Sequence, residues 1–458
     1  MRGNVEDEGQ GLLRIHQERD QARRVHLRAA LRDKTRSALP NGLQGVPRQA
    51  GRDDKRRTEG HTRMKQYRYG SLALDISDKC NLKCIYCFEA VCDFAPLVSG
   101  VNPAALYRGI DFFLENLVPD NAERLDFHFG RREPLMNFPL LHDVVRYIES
   151  RAEEASFSPR FHLTTNGTCF SSEIIRFLKG HDFDLRVSLD GFPDVHDKHR
   201  RFKDNSGSFD RIVAGLSILR AEGVRFTVNS VYHPDIPIYQ TYDFFGRIRA
   251  SRVDFFPLWI PDSRADGYFE PSDVRKMERD LDTLADDLIE RGLGSGLHSA
   301  PRIVQIENHL QYLCGYKRSP FYCGAGRTYI GLSGSGHFYP CLKFINLPGW
   351  VLGDSSLGIV DKNLEHYLSV AAPEISEIET CRDCTIHGAC KGLCYVDRAG
   401  IDDHRRSFSF YCSFQKGLFK AAARLYSALK ETRPDAVVTL AGLAETFPEL
   451  ITDSPDQA

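Results

Sequence analysis

From Tyr67 to about residue 265, short apolar runs alternate with longer segments of helical period. The short runs fall at Leu72–Ile76, Leu125–Phe129, Phe161–Thr164, Leu185–Leu189, Phe226–Val231 and Val253–Leu258 and read as strands. Between them, Ala104–Leu117, Pro139–Ala155, Ser172–Lys179 and Ser208–Glu222 read as helices. Six β/α units predict an α/β fold, a parallel sheet with helices outside it. They are too few to close an eight-stranded barrel, and periodicity alone does not separate a partial barrel from a doubly wound sheet. A further helix is expected from about residue 270 to 292, with Val274, Met277, Leu281, Leu284, Leu288 and Ile289 on one face and Ser272 or Asp273 as its cap. Gly292, Gly294 and Gly296 end it, which puts a domain boundary near residue 300. Further on, Leu418, Ala422, Leu425 and Leu429 mark an amphipathic helix over Gly417–Lys430, a second helix is expected over Ala436–Leu450, and Thr452–Ala458 reads as a frayed tail.

Residues 1–63 break this pattern. They are dense in Arg, Asp, Glu, Gln and Gly and too poor in apolar residues to bury much surface. The segment reads either as a disordered basic arm or as a mis-assigned start ahead of Met64. Elsewhere, 42% hydrophobic residues over 458 positions suffice for a sizeable core. A formal net charge of −2 gives no case for a nucleic-acid or membrane-surface partner. No uninterrupted apolar window of about 18 residues suggests a membrane span, and the charged N-terminal stretch lacks the apolar core of a secretory signal. Seven of the 13 cysteines stand in C-x2-C and C-x3-C spacings, which favours metal binding in a reducing cytoplasm over disulfides.

The chemistry concentrates first at Cys80, Cys84 and Cys87, spaced C-x3-C-x2-C on the loop leaving the first strand. That is the end of an α/β fold where reactive groups gather. Three thiolates are one short of the usual set for a four-iron cluster. The shortfall leaves one metal position open, which distinguishes a reactive centre from a structural one. A zinc loop or a buried thiol cluster is the plainer alternative.

This stretch, with Tyr86 before its third cysteine, resembles the motif of the radical S-adenosylmethionine (radical SAM) superfamily. The resemblance implies a [4Fe-4S] cluster whose open iron is chelated by S-adenosyl-L-methionine, reductive cleavage of that molecule to a 5′-deoxyadenosyl radical, and hydrogen abstraction from a substrate. It also implies a partial, open (β/α)6 barrel. Gly130-Arg131-Arg132-Glu133-Pro134 is similar to the family's GGEP motif, with Gly130 and Glu133 as the residues toward the SAM amino group. Arg131 and Arg132 stand where two glycines are expected if Glu133-Pro134 is the anchor; otherwise one residue has been inserted. Thr165-Asn166-Gly167 and Ser188-Leu189-Asp190-Gly191 follow later strands, with His196-Asp197 and Arg200 beyond. The resemblance sets Thr165, Asn166 and Ser188 toward the SAM ribose and Arg200 toward its carboxylate, for which a planar guanidinium suits bidentate binding. His196 reads as a satisfied structural histidine rather than a base.

A second cysteine field comprises Cys314, Cys323, Cys341, Cys381, Cys384, Cys390, Cys394 and Cys412. From Cys323 on it resembles the SPASM pattern, C-x12-G-x4-C with Gly336 inside, then C-x2-C-x5-C-x3-C and a last cysteine. The resemblance implies two auxiliary iron–sulfur clusters, one on Cys323, Cys341 and Cys394, the other on Cys381, Cys384, Cys390 and Cys412. Cys314, nine positions before Cys323, is the favoured fourth ligand of the first; the alternative is an open iron there that a substrate thiol would occupy. Gly331, Gly334 and Gly336 suit a hairpin that brings Cys323 and Cys341 together. Paired structural zinc sites are the alternative. Cys92 and Cys169 read as ordinary thiols.

The expected organisation is an arm or mis-assigned start over 1–63, a radical SAM core over 64–300, a SPASM domain over 301–416 and C-terminal helices over 417–458. The expected activity is modification of a ribosomally made peptide or protein, by cross-link or thioether formation, in the cytoplasm. An electron donor such as a flavodoxin or ferredoxin would serve it. An anaerobic sulfatase maturase is the alternative within the enzyme class, and would need a carboxylate; acids stand at Asp262 and Asp266. An iron–sulfur electron-transfer protein is a further alternative, against which the Glu133, Ser188 and Arg200 signals stand.

Overall fold

The computed structural model describes residues 68–91, 100–233, 236–260, 269–294, 297, 300–316, 318–345, 347, 349–398 and 405–443. The expectations for residues 1–63 and Met64, for Cys92, Asp262, Asp266 and Gly296, and for the chain beyond residue 443 lie outside the described residues.

All six expected strands form: β1 (Ser71–Leu74), β2 (Arg124–Phe129), β3 (Ser158–Thr165), β4 (Asp184–Ser188), β5 (Thr227–Tyr232) and β6 (Arg252–Pro257). They lie side by side in chain order and all run parallel. A doubly wound sheet reverses its strand order at a switch point. No reversal occurs across β1 to β6, so the α/β architecture is the open, singly wound one. The sheet continues at both ends. β7 (Arg302–Ile303) pairs parallel with β6, and β8 (Tyr329–Leu332) pairs parallel with the free side of β1. β9 (His337–Tyr339), β10 (Gly353–Asp354) and β11 (Gly358–Ile359) follow β8 antiparallel, giving eleven strands in one sheet among the described residues.

Alternation along each strand sorts the two faces. Leu125, Phe127 and Phe129 on β2 and Phe161 and Leu163 on β3 are buried in the core. Phe127 lies opposite Phe161, with ring centroids 6.1 Å apart. The intervening residues are polar. His162 bridges Asp126 and Asp184 at 3.0 Å each and stacks on His128, and Arg186 pairs with Asp254. One face is thus an apolar bed for helices, and the other carries a polar row from β2 to β6.

The helices start where local chemistry lets them. Asn102 accepts from the Ala105 amide ahead of Pro103–Asn116, and Ser171 accepts from Ile174 ahead of Ser172–Gly180, each satisfying a free N–H of a first turn. The helix Pro271–Leu293 differs from expectation. Its cap is Glu270, because Pro271 takes the first helical position, and Asp273 accepts from the Glu270 amide at 2.9 Å as the second half of a capping box. The last long helix spans Arg405–Leu429, beginning before Cys412 rather than after it, because Phe410 and Phe414 extend the buried stripe of Leu418, Ala422 and Leu425. At the β7 side, buried Glu307 takes Arg252 and Arg302, tying β6 and β7 to the helix Val304–Leu313. No helix among the described residues is long and apolar enough to cross a membrane.

The β8–β9 hairpin forms around its glycines as expected, with Ser333–Gly336 as the turn. Gly331 is required by close approach: a Cβ there would stand 2.8 Å from the carbonyl carbon of Cys341. Gly331→Ala is expected to push the hairpin strands apart and destabilise the protein by about 1–3 kcal/mol. Chemical denaturation of the purified chain, compared with wild type, checks this.

Candidate active site

The C-terminal ends of β1 to β5 meet on one side of the sheet, and the cysteine loop leaves β1 into that space. Its backbone is pinned from outside the strands. The Lys83 amide donates to the Arg201 carbonyl at 2.8 Å and the Ile85 amide to the His199 carbonyl at 3.0 Å, with Leu82 bridged to Phe202. Asn81 completes the entry, donating to Thr168 Oγ1 at 2.8 Å and accepting from Asn166 Nδ2 at 2.9 Å. Cys80, Cys84 and Cys87 are left partly exposed and free of disulfides.

Two groups of side chains flank these thiols. On the first side Asn166 Nδ2 lies 3.8 Å from Cys80 Sγ. Behind it Glu133 is fully buried. Its carboxylate accepts from Thr165 Oγ1 at 2.7 Å, from the Asn166 amide at 2.6 Å and from the Leu135 amide at 3.1 Å, while its own amide donates to the Lys79 carbonyl. Burial pushes this carboxyl up to about 7, against the three hydrogen bonds it accepts. No cation contributes to that balance. Glu133 is thus a buried acid whose charged form lacks an opposite charge, and its charge adds to the burial that raises the Cys80 thiol.

On the second side Arg200 Nη1 lies 3.9 Å from Cys84 Sγ. Its Nε donates to Asp190 Oδ2 at 3.1 Å, its guanidinium lies over the Tyr86 ring at 5.2 Å, and the Tyr86 hydroxyl donates to the same Asp190 oxygen. Burial opposes the charge on Asp190, yet Arg200 and His233 hold its carboxyl well below the usual range. His196 has the structural role expected of it. It accepts from the Asp190 amide at 3.2 Å and reaches Ser208 Oγ at 2.9 Å, and that hydroxyl donates to the Arg200 carbonyl.

Sequence reasoning missed two residues here. His199 and His233 are buried and stack with centroids 3.7 Å apart, and the His233 ring is 5.7 Å from Tyr86. Single histidines in unremarkable contexts carry no signal; only the fold brings the C-terminal end of β5 beneath Tyr86. Of the expected residues, Tyr86, Glu133, Thr165, Asn166 and Arg200 gather around the thiols. Gly130 directly follows β2, where a Cβ would meet Leu342 at 3.5 Å, and Ser188 ends β4 opposite Asn229.

Arg131 and Arg132 take positive φ, 67° and 50°, the left-handed conformation that favours glycine. The backbone thus turns as glycines would, although the residues are arginines. Burial raises the Asp75 carboxyl to about 6, against the lowering effect of both arginines.

The second cysteine field divides in two. Burial together with the Cys323 charge pushes the Cys341 thiol up to about 11, and Cys394 is pushed up to about 12 by burial, Asp397 and Cys341, against the nearby Lys343. Cys390 and Cys412 are each pushed up to about 11, by burial first and then by the charges of Cys381 and Cys384, with Cys390 also acting on Cys412. The thiols that perturb one another are therefore Cys323, Cys341 and Cys394 in one group and Cys381, Cys384, Cys390 and Cys412 in another. Cys314 caps the helix Val304–Leu313, and burial alone raises its thiol. Lys343 joins the two regions: its Nζ lies 4.0 Å from Cys394 Sγ and 5.8 Å from the ring of Phe88, which follows Cys87.

All-thiol sets such as these are the ordinary ligands of iron–sulfur clusters. A cavity of about 1140 Å³ opens at the opposite, N-terminal ends of β4 to β7, lined by Asp184, Thr227, Arg252 and Arg302 among others, away from the cysteines.

Residues 74–245 match the family model of the Radical SAM superfamily. Over 369 residues the chain is 23% identical to a cysteine-type anaerobic sulfatase-maturating enzyme of Clostridium novyi (strain NT), covering 75% of this chain and 94% of the relative. It is 22% identical over 388 residues to the radical SAM cyclopropyl synthase TigE of Paramaledivibacter caminithermalis, covering 76% and 75%. The solved structure of native anSMEcpe with bound AdoMet and Cp18Cys peptide superposes with a TM-score of 0.60 at 19% identity, over 81% of this chain and 99% of that one.

Asp190→Ala is expected to cost about 3–5 kcal/mol, because it leaves the Arg200 charge buried without its partner. The loss is read from urea unfolding of the full chain. Asp190→Asn, which keeps an acceptor for Tyr86, is expected to lose less.

Proposed function

We propose that this chain, an enzyme of the Radical SAM superfamily with S-adenosylmethionine and iron–sulfur clusters as its cofactors, modifies a peptide or protein substrate. The observation that carries the reading is the sorting of ten thiols into one set of three at the strand ends and two sets behind it. In this reading Cys80, Cys84 and Cys87 hold the catalytic cluster. Cys323, Cys341 and Cys394 hold a first auxiliary cluster, and Cys381, Cys384, Cys390 and Cys412 a second.

The residues present fit S-adenosylmethionine as well. Glu133 is a buried acid without an opposite charge beside Cys80, which suits an ammonium group. An arriving cation stabilises its ionised form, which burial otherwise disfavours. Arg200, held by Asp190 and Tyr86 at the Cys84 side, presents a guanidinium suited to a carboxylate. Bound there, the cofactors supply hydrogen abstraction from a C–H bond too weakly acidic for any side-chain base. The protein's part is orientation. Asn166 and Arg200 place donors against Cys80 and Cys84, which works for the thiolate against the burial that raises both thiols. Lys343 stands between the catalytic loop and the first auxiliary set.

The peptide or protein substrate rests on the relatives: one matures sulfatases, and the anSMEcpe structure contains a peptide. Cross-link formation and formylglycine formation fit this site equally. Cytoplasmic location and a flavodoxin or ferredoxin as reductant belong to the same proposal.

Anaerobically reconstituted protein is expected to carry about twelve irons per chain, as three four-iron clusters require, and to form 5′-deoxyadenosine from S-adenosylmethionine under dithionite. Cys84→Ala should abolish that product while keeping about eight irons. Cys390→Ser should lose about four irons and leave the catalytic cluster in place. Zinc in place of iron, or iron without 5′-deoxyadenosine, would overturn the reading.

A further inference from the structure

Arginine is a costly residue for a left-handed turn. Each non-glycine residue there costs roughly 1–2 kcal/mol, and such a conformation persists only where surrounding contacts over-determine it. At Arg131 those contacts are specific. Its side chain is 5% exposed, and all three guanidinium nitrogens face carboxylates. Nη1 donates to Asp75 Oδ2 at 2.7 Å, Nη2 donates to Glu89 Oε2 at 2.8 Å, and Nε lies 2.7 Å from Glu89 Oε1. Arg132 reinforces the same bracket: its Nη1 donates to the Asp78 carbonyl, and its Nε lies 3.5 Å from Glu89 Oε2.

The acceptors bracket the cysteines. Asp75 and Asp78 precede Cys80, and Glu89 stands two residues after Cys87. One side chain from the end of β2 therefore grips both stems of the loop. We propose that Arg131 is a positioning residue for the catalytic cysteines, its guanidinium clasping Asp75 and Glu89 so that the loop from Cys80 to Cys87 keeps one distance from β2 and from Glu133. The catalytic consequence rests on the function proposed above; the clasp itself does not. The planar fork matters because its two Nη groups stand apart in one rigid plane, one donating to Asp75 and the other to Glu89, whereas an ammonium is a single point charge on a flexible stem. Glycine at position 131 would relieve the backbone and remove the grip.

The test uses the full chain, anaerobically reconstituted, as wild type, Arg131→Gly, Arg131→Lys and Glu89→Gln. Amide hydrogen exchange over residues 79–91 is expected to speed up at least tenfold in Arg131→Gly, with exchange over 184–257 unchanged. The same loosening, smaller, is expected in Glu89→Gln, and Arg131→Lys should not restore wild-type protection. In parallel, the change that S-adenosylmethionine makes to the electron paramagnetic resonance spectrum of the reduced protein should be lost or broadened, and 5′-deoxyadenosine formation should fall at least tenfold. Wild-type exchange over 79–91 in Arg131→Gly overturns the proposal. Loosening spread across the whole sheet in both Arg131→Gly and Glu89→Gln also overturns it, because it would mark Arg131 as general scaffolding. If wild-type protein shows neither spectral change nor product, the proposed function fails, and the exchange comparison still decides the clasp.

Discussion

A charge taken out of water must be answered close by, and the loop that carries the first three cysteines is fastened by two such answers. At one shoulder Asp190 holds Arg200 and Tyr86 against Cys84. At the other Arg131 holds Asp75 and Glu89 on either side of the loop. Neither is a surface ion pair of negligible worth. The Asp190 side chain is fully buried, and that of Arg131 nearly so. Between them the loop has little freedom, although it has almost no regular structure of its own. Glu133 belongs to the same economy with the opposite sign: three hydrogen bonds and no cation, so that its charged form is held in waiting.

The strands were legible because each needs one apolar face, and alternation or a short apolar run is the direct trace of that need. All six were placed within a few residues. Less legible was anything set by neighbours distant in the chain. That β8 lies beside β1 depends on which apolar surfaces remain uncovered after six β/α units, and no local pattern records it. The start of the Arg405–Leu429 helix was missed for a related reason: Cys412 read as a metal ligand, which hid that Phe410 and Phe414 continue the helical stripe.

The site shows the same division. The thiol spacings stood out because short, repeated cysteine spacings are the pattern that metal-ligand sets impose on a sequence. In the second field the thiols that raise one another fall into the two groups described above, and Cys314 stands at a helix end where burial alone acts on it. His199 and His233 gave no sign, since a stacked pair 34 positions apart leaves no motif. The Arg131-Arg132 pair pointed the wrong way. Read as residues, they contradict a glycine turn; in the fold they make that turn and offset its cost with buried ion pairs.

The placement of β8 has a consequence for the molecule as a whole. Without the chain beyond residue 300, β1 would keep β2 on one side and present a bare row of amides and carbonyls on the other. Such an edge invites pairing with another chain, and here it would belong to the strand from which the reactive loop departs. The cysteine-rich segment is thus also the guard of that strand, and a core trimmed free of it would be expected to aggregate before its chemistry could be measured.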